Sequence, residues 1–187
     1  VISFEKIHLK PFTTLVLKNA VIVDKEPAVN PFDSLSTPVD TFFRAEYIIA
    51  TFTLEGLFKQ EGIHLRKAFI DNAQMNLVLE SKDPDDDGED NTENLSRIFR
   101  LKKADPDKPK NMNELFHIKK VEIRDMGFAM KNYQLDRTEF EYDTGINWND
   151  LDIKDIDITA SELMFKEGKM SGVAEKVSFR EKSGFKA

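Results

Sequence analysis

The sequence predicts a mainly β protein, built as an elongated, curved or folded sheet with one short helix. Three observations support this prediction. Several segments alternate apolar with polar residues, as half-buried strands do. One apolar template recurs four times along the chain, which is typical of stacked β architectures. Each copy also contains a five-residue step that, in a regular strand, would move the apolar side chains from one face to the other. The chain opens and closes in strand-like runs, so residues 1–187 are interpreted as a single β-rich segment of a longer protein.

The repeated template begins at Phe12, Leu65, Ile118 and Ile153. Within each copy, apolar residues occupy the first, fourth, sixth, eleventh and thirteenth positions, and Asp24 is the one exception. Such a repeat favours a scaffold or a conduit over a compact enzyme.

The step from the sixth to the eleventh position spans five residues, as in Leu17 to Ile22 and Ile123 to Phe128. Side chains alternate between the two faces of a strand, so an odd step would move the second residue to the opposite face. A bulge or corner inside each step returns it to the first face. Turn-forming residues lie within the steps, at Asn19, Asp71-Asn72, Asp125–Gly127 and Thr159–Ser161.

A sheet folded at these corners would enclose a continuous apolar interior. We expect this interior to be lined by the template residues Leu15, Leu17, Ile22, Ile70, Met75, Leu77, Val121, Ile123, Phe128, Met130, Ile156, Ile158, Leu163 and Phe165.

The first third of the chain is predicted as strands around one loop. Val1–Lys25 alternates and is rich in Val and Ile, which favours β structure. Residues 26–40 contain three prolines and are predicted to form a Pro-rich loop. Thr41–Thr53 is aromatic and β-branched and is predicted to be a buried strand, and Leu54–Gln60 a single helical turn.

The remainder of the chain contains the predicted helix between strands. Residues 63–80 carry the second repeat copy and read as a strand. Residues 81–92 are acidic, contain no apolar side chain and are predicted to be a mobile loop. The one short helix is placed around 92–103, followed by a linker-like loop at 104–113. Residues 114–186 follow a β pattern.

Composition excludes several classes of function. The net charge of −7 argues against nucleic acid as the main partner, and the basic stretch Arg97–Lys110 is interpreted as solvated charge. Cysteine is absent, so disulfides, thiol catalysis and Cys-based metal sites are excluded. No apolar run approaches the length needed to span a bilayer.

The sequence contains only weak indications of a metal or catalytic site. Asp83, Asp85 and Asp87 followed by Gly88 match the first half of a calcium loop. Asn94 stands where a bidentate Glu is required, and Pro84 interrupts the loop, so we expect a solvated acidic segment with no cofactor and treat these aspartates as a weak calcium candidate.

The three histidines, His8, His64 and His117, each lie in or beside a strand and suggest equivalent structural positions, not converging ligands. No nucleophile elbow, P-loop or dinucleotide-binding motif is present, and the chain is predicted not to be an enzyme.

Two runs carry a resemblance to a known family: HIKKVEIRDMGFAM (His117–Met130) and LDIKDIDITASELMF (Leu151–Phe165). They resemble the β repeats of the AsmA-like superfamily, and more closely the TamB-type translocation and assembly module subunits of Bacteroidetes character. Leu15–Asp24, Asn94–Phe99 and Gly145–Leu151 also fit. The acidic insertion Asp83–Asn91 and the Pro-rich loop match no motif of the family.

The resemblance implies the membrane-proximal part of a periplasmic protein that bridges the inner and outer membranes, attached to the inner membrane by an anchor absent from this chain. It also implies a β-groove that carries phospholipid acyl chains, or assistance to outer-membrane protein assembly, with an outer-membrane barrel of the Omp85 class as partner. One alternative is a protein-interaction scaffold with a dry core, whose sheet edges pair with client strands. A third is an adhesin-like β domain.

Overall fold

The computed structural model describes residues 1–10, 13–25, 27, 29–30, 40–54, 63–80, 92–93, 116–133, 146–166 and 169–186. Within these ranges the chain forms one open, curved sheet of nine strands. The predicted mainly β, curved architecture is confirmed. The calcium candidate, the basic stretch Arg97–Lys110 and the loop at 104–113 lie outside the described residues.

Long strands make up most of the sheet, and short strands complete its edges. The strands are β1 (Ile2–Ser3), β2 (Lys6–Lys10), β3 (Thr14–Val23), β4 (Thr41–Phe52), β5 (Ile63–Glu80), β6 (Thr92–Glu93), β7 (Phe116–Asn132), β8 (Asp150–Lys166) and β9 (Lys169–Glu181). Their spatial order is β1-β3-β4-β5-β7-β8-β9, with β2 sharing the outer edge of β3 and β6 pairing with β5.

Neighbouring strands are antiparallel except β5 and β7, which run parallel. A parallel pair requires a long crossover, and residues 81–115 supply it. The helix predicted around 92–103 is wrong at its start, because Thr92 and Glu93 form β6 and pair with Glu80 and Leu79. These β5 residues extend past the end of β4, so β6 supplies partners for their backbone. Residues 94–103 lie outside the described part.

The predicted corners are left-handed residues inside the strands. Asn19, Asn72, Asp125 and Glu162 have φ of 50°, 47°, 47° and 51°, and each lies within one five-residue step. The prediction is confirmed in the first three copies. In the fourth copy the left-handed residue comes one position after Thr159–Ser161. Asp155, with φ of 52°, adds a further bend that the template did not indicate.

Three of these residues, Asn19 on β3, Asn72 on β5 and Asp125 on β7, form a line across the sheet together with Glu46 on β4, which does not have a positive φ. We call this the corner line. Pairing is regular on both sides of the line and skips one residue on each strand, so the register is kept. Asn72 Nδ2 donates to Glu46 Oε2 at 3.0 Å. Because adjacent strands bend at the same level, the sheet curves as a unit.

Beyond β7, the bends become true bulges. Arg124 and Asp125 together oppose Asp157 of β8, and the Asp125 backbone N–H donates to Asp157 Oδ1 at 3.1 Å. Gly127 allows close approach, since a Cβ there would lie 2.0 Å from Gln74 Oε1 on β5. The two-against-one pairing explains the stronger irregularity of this half of the sheet.

Candidate binding surface

Template residues from different strands lie side by side in rows that cross the sheet. The parallel pairing of β5 with β7 joins every slot of the second copy to the same slot of the third. The pairs are Leu65–Ile118, Ala68–Val121, Ile70–Ile123, Met75–Phe128 and Leu77–Met130. Equivalent positions of the sequence repeat therefore lie next to each other on the neighbouring strands β5 and β7.

The central row crosses six strands without a polar residue. It contains Leu17, Ile48, Ile70, Ile123, Ile158 and Val177. A second row, on the other side of the corner line, contains Ile22, Phe43, Met75, Phe128 and Ile153 and ends at Glu181. We call the surface formed by these rows and those parallel to them the apolar face.

A row of small residues lies next to the corner line, with Ala20 on β3, Ala45 on β4 and Ala73 on β5. Their exposed fractions are 6, 3 and 5%. Each methyl group lies two positions along its strand from a larger side chain of the same face, Ile22, Phe43 or Met75. This placement fits a bend towards the apolar face.

The predicted lining residues are half-buried, with few exceptions. Val121 is buried, and the side chain of Phe165 lies outside the described part. The remaining predicted residues, Leu15, Leu17, Ile22, Ile70, Met75, Leu77, Ile123, Phe128, Met130, Ile156, Ile158 and Leu163, have intermediate exposure. In the described residues, the apolar face is thus an accessible surface with no second layer on it.

Strand β4 contributes to both rows through Phe43 and Ile48, which the forward template missed. These two residues are again five positions apart. β4 runs antiparallel to β3 and β5, so it carries the template in reverse order. A search for the reversed spacing would have found it.

The opposite face is charged and carries ion pairs. Lys67 Nζ lies 2.9 Å from Glu122 Oε2, and Arg124 also pairs with Glu122. Lys67 and Arg124 lie over the ring of Phe69, at 5.5 and 5.3 Å from its centroid. The hydrogen bond from Lys67 outweighs partial burial, and with Arg124 it holds the pKa of Glu122 below its ordinary value. The opposite face thus combines these charges with apolar side chains such as Val16, Ile49 and Phe69, whereas the central row of the apolar face contains no charge.

Two of the three histidines take the equivalent positions that the sequence indicated, whereas His8 lies at a different level of the sheet, opposite Val16. His64 and His117 are paired across β5 and β7, with ring centroids 6.5 Å apart in an edge-to-face arrangement. His117 Nε2 is 2.7 Å from Glu162 Oε2. Across the described ranges, no group of three or more His, Asp or Glu side chains could hold a metal ion.

The C-terminal residues fold into a short hook, 182–186, that covers the end of the second row. The backbone N–H of Ser183 donates to Glu181 Oε2 at 2.7 Å, and Phe185 packs against Phe179. Glu181 is buried under the hook, and its Oε1 has no hydrogen-bond partner. Burial raises the pKa of Glu181, but hydrogen bonds from Ser183 and the charge of Lys182 outweigh it and leave this pKa lowered.

Among the described residues, the fold and surface define a class: an open, single-layer β sheet with one apolar face and one face that carries ion pairs. No protein-family model matches the chain, and neither a curated protein nor a solved structure matches it. Within the described ranges, no helix has the length and apolar character to cross a membrane.

Proposed function

We propose that the apolar face binds phospholipid acyl chains, and that the chain is a non-enzymatic part of a periplasmic envelope-biogenesis protein. In this proposal the protein bridges the inner and outer membranes and works with an outer-membrane barrel of the Omp85 class. One observation carries the proposal: apolar rows cross up to six strands and stay half-exposed, with no covering layer among the described residues.

The dimensions of the central row suit an acyl chain. At about 4.8 Å between strands, the row from Leu17 to Val177 is about 24 Å long. One leaflet of a bilayer has a hydrocarbon depth of about 15 Å, so a lipid tail fits within the row. Each methylene that leaves water contributes about 0.8 kcal/mol, and an unbroken row keeps this contribution nearly constant as a tail moves along it.

The polarity of the two faces supports the same proposal. A head group needs water or polar partners, while its tails need apolar contact. The charged groups Lys67, Glu122 and Arg124 lie on the opposite face, so they do not interrupt the path of a tail. Large exposed apolar surfaces on soluble domains commonly mark binding sites.

Photo-crosslinking tests the proposal. The wild-type chain is mixed with phosphatidylcholine vesicles that contain a phospholipid with a diazirine in its acyl chain. Labelled peptides are expected from the central row around Ile123. The variant Ile123→Asp should lower the yield about tenfold, since a carboxylate beneath the tail must lose water. Lys119→Asp, at an exposed position of the same strand, is the matched control and should keep the wild-type yield. Labelling of the wild type no higher than that of an unrelated protein would refute lipid binding.

A second function, a scaffold that pairs client strands, is favoured by one observation. β9 is thirteen residues long and pairs on one side only with another named strand. A peptide could add to this edge by backbone hydrogen bonds. In the crosslinking experiment, this function predicts no acyl labelling of the central row.

A further inference from the structure

The outer edge of β9 carries exposed apolar side chains, and no other named strand of the described residues pairs with it there. Met170, Val173 and Val177 are 66, 57 and 47% exposed. Sheet edges of this kind invite pairing with another strand unless a charge, a bulge or a cover prevents it.

The hook limits the part of this edge that is open. Arg180 pairs with Lys154 of β8 on its inner side, so its bridge to Lys186 must lie on the outer side. The bridge occupies the edge at Arg180. The stretch Lys169–Phe179 remains open in the described structure.

A bulge at Glu175 decides which side chains share a face along this stretch. Lys176 pairs with Thr159 and Ala174 with Ala160, so Glu175 is an extra residue with no partner opposite it on β8. Ala174 and Val177 therefore both lie on the apolar face, although they are three positions apart. A regular strand would place them on opposite faces.

This displacement makes β9 complementary to itself. Directly opposed residues of antiparallel strands lie on the same face. If a second copy pairs with its centre between Glu175 and Lys176, Ala174 opposes Val177 on the apolar face and Val173 opposes Ser178 on the other. Pairing centred on Glu175 itself would put Ala174 opposite Lys176, which lies on the wrong face.

Two registers place residues of the same face opposite each other, and the charges of the opposed residues distinguish between them. With the centre between Glu175 and Lys176, each glutamate opposes a lysine of the other copy, twice by symmetry. With the centre one position earlier, Glu175 opposes Ala174 and Lys176 opposes Val173, so no opposite charges meet. Opposed like charges destabilise a strand pair, and opposite charges stabilise it.

We propose that two copies of this chain associate antiparallel through β9, with Glu175 of each copy opposite Lys176 of the other. The twofold axis is perpendicular to the sheet, so both apolar faces lie on the same side and form one continuous surface. The association does not depend on lipid, and its test is separate from that of the proposed function.

Sedimentation velocity over a concentration series tests the association. We expect a reversible dimer with a Kd on the order of 10 µM, since one strand pair buries less area than a standard interface. Glu175→Lys and Lys176→Glu should each weaken the dimer about tenfold, because both central pairs become repulsive. The double variant Glu175→Lys/Lys176→Glu should restore it. A wild type that stays monomeric at about 200 µM, twenty times that Kd, or a dimer unaffected by these changes, would overturn the proposal.

Disulfide trapping tests the register, since the chain has no cysteine of its own. A mixture of the Val173→Cys and Ser178→Cys variants should form a crosslinked dimer under mild oxidation. The matched mixture of Ser171→Cys and Ser178→Cys reports the earlier centre, leaves Glu175 and Lys176 in place, and should stay uncrosslinked. Preferential crosslinking of the second mixture would contradict the proposed pairing. Circular dichroism of each variant confirms folding, and all the changed side chains have at least intermediate exposure.

Discussion

Asparagine and aspartate hold four of the five left-handed positions within the described strands, and the reason is steric. A left-handed backbone brings Cβ close to the following carbonyl, which costs about 1–2 kcal/mol for most residues. Asparagine and aspartate are the non-glycine residues that adopt this conformation most readily. Asn72 also donates a hydrogen bond across the sheet to Glu46 on the neighbouring strand. Glu162 lacks this advantage, and its carboxylate instead pairs with His117.

Substitutions at Asn72 test the strained backbone. Asn72→Ala should lower the free energy of unfolding by about 1 kcal/mol more than Asn72→Gly does, because glycine adopts positive φ without cost. Asn76 on the same strand also donates a side-chain hydrogen bond, at 2.7 Å to the Thr41 carbonyl, but lacks positive φ. At Asn76 the order should reverse, so that the glycine variant loses more unfolding free energy than the alanine variant. Urea denaturation measures both pairs, and the same order at both sites would contradict the left-handed assignment.

The Glu122 carboxylate makes stability depend on pH in the acid range. Its folded pKa lies below the ordinary value of 4.5, so its stabilisation is present above that value and is lost as the pH falls through the folded pKa. Lys67 is 42% exposed and Glu122 15%, so solvent screening limits the effect to about 1 kcal/mol.

Denaturation between pH 7 and pH 3 tests this coupling. Glu122→Gln should lower stability at pH 7 and flatten its dependence on pH below 4.5, and Lys67→Met should do the same because the partner is removed. If the unfolding free energy of either variant depends on pH in the same way as that of the wild type, the ion pair is excluded as the source of the pH dependence.

At the scale of elements, the rows explain how strands of one layer stay together. Ile123 is flanked by Ile70 on one side and Ile158 on the other, and backbone pairing holds all three at the same level. Cross-strand contacts between β-branched side chains stabilise a sheet by about 0.2–1 kcal/mol per pair. The alternative source, a second layer packed on the sheet, does not occur among the described residues.

A double-mutant cycle measures this contact. Ile70→Ala and Ile123→Ala should each cost about 1–2 kcal/mol, at the low end for aliphatic truncation because both residues are half-buried. The two changes together should show a coupling of about 0.5–1 kcal/mol. The control cycle combines Ile70→Ala with Ile153→Ala, which lie on strands that are not neighbours. The free-energy changes of these two substitutions should be additive. Equal coupling in both cycles would argue against the register of β5 and β7.

At the scale of the whole molecule, the sheet has a paired centre and open sides. β5 and β7 have neighbours on both sides, whereas β2 pairs only with β3 and is exposed along its length. Val78 and Tyr133 form a small buried cluster beside the end of β5, and the Tyr133 N–H donates to the Leu79 carbonyl. Local stability should therefore be highest at the centre of the sheet.

Hydrogen exchange followed by mass spectrometry tests this gradient. Peptides from β5 and β7 should exchange most slowly, close to the rate set by global unfolding, and those from β2 fastest. Strand β3 contains no proline and has partners on both sides, so it serves as the internal comparison. Its exchange rate should lie between those of β2 and of β5 and β7. Uniform protection from β2 to β7 would mean that the sheet opens only as a whole.

Local patterns in the sequence were sufficient for the corners and for most of the surface. Asn19, Asn72 and Asp125 were recognisable because a five-residue step and a turn-forming residue coincide there. Phe43 and Ile48 were missed because β4 carries the template in reverse order. The spacing of residues within one strand does not reveal in which direction that strand runs in the sheet. The helix predicted around 92–103 failed at Thr92 and Glu93, where pairing with β5 overrode helix-capping preference.

The sequence by itself determined the two faces, since the period of apolar residues and the odd step are properties of one strand. Which strands lie side by side was decided only by the tertiary structure. The parallel pairing of β5 with β7 brings together residues 53 positions apart, such as Ile70 and Ile123, through backbone hydrogen bonds that any sequence can form. The bulge at Glu175 likewise depends on how β9 meets β8. Periodicity is encoded locally, but register and strand order are set by contacts between distant segments, and those contacts make four separate patterns into one apolar surface.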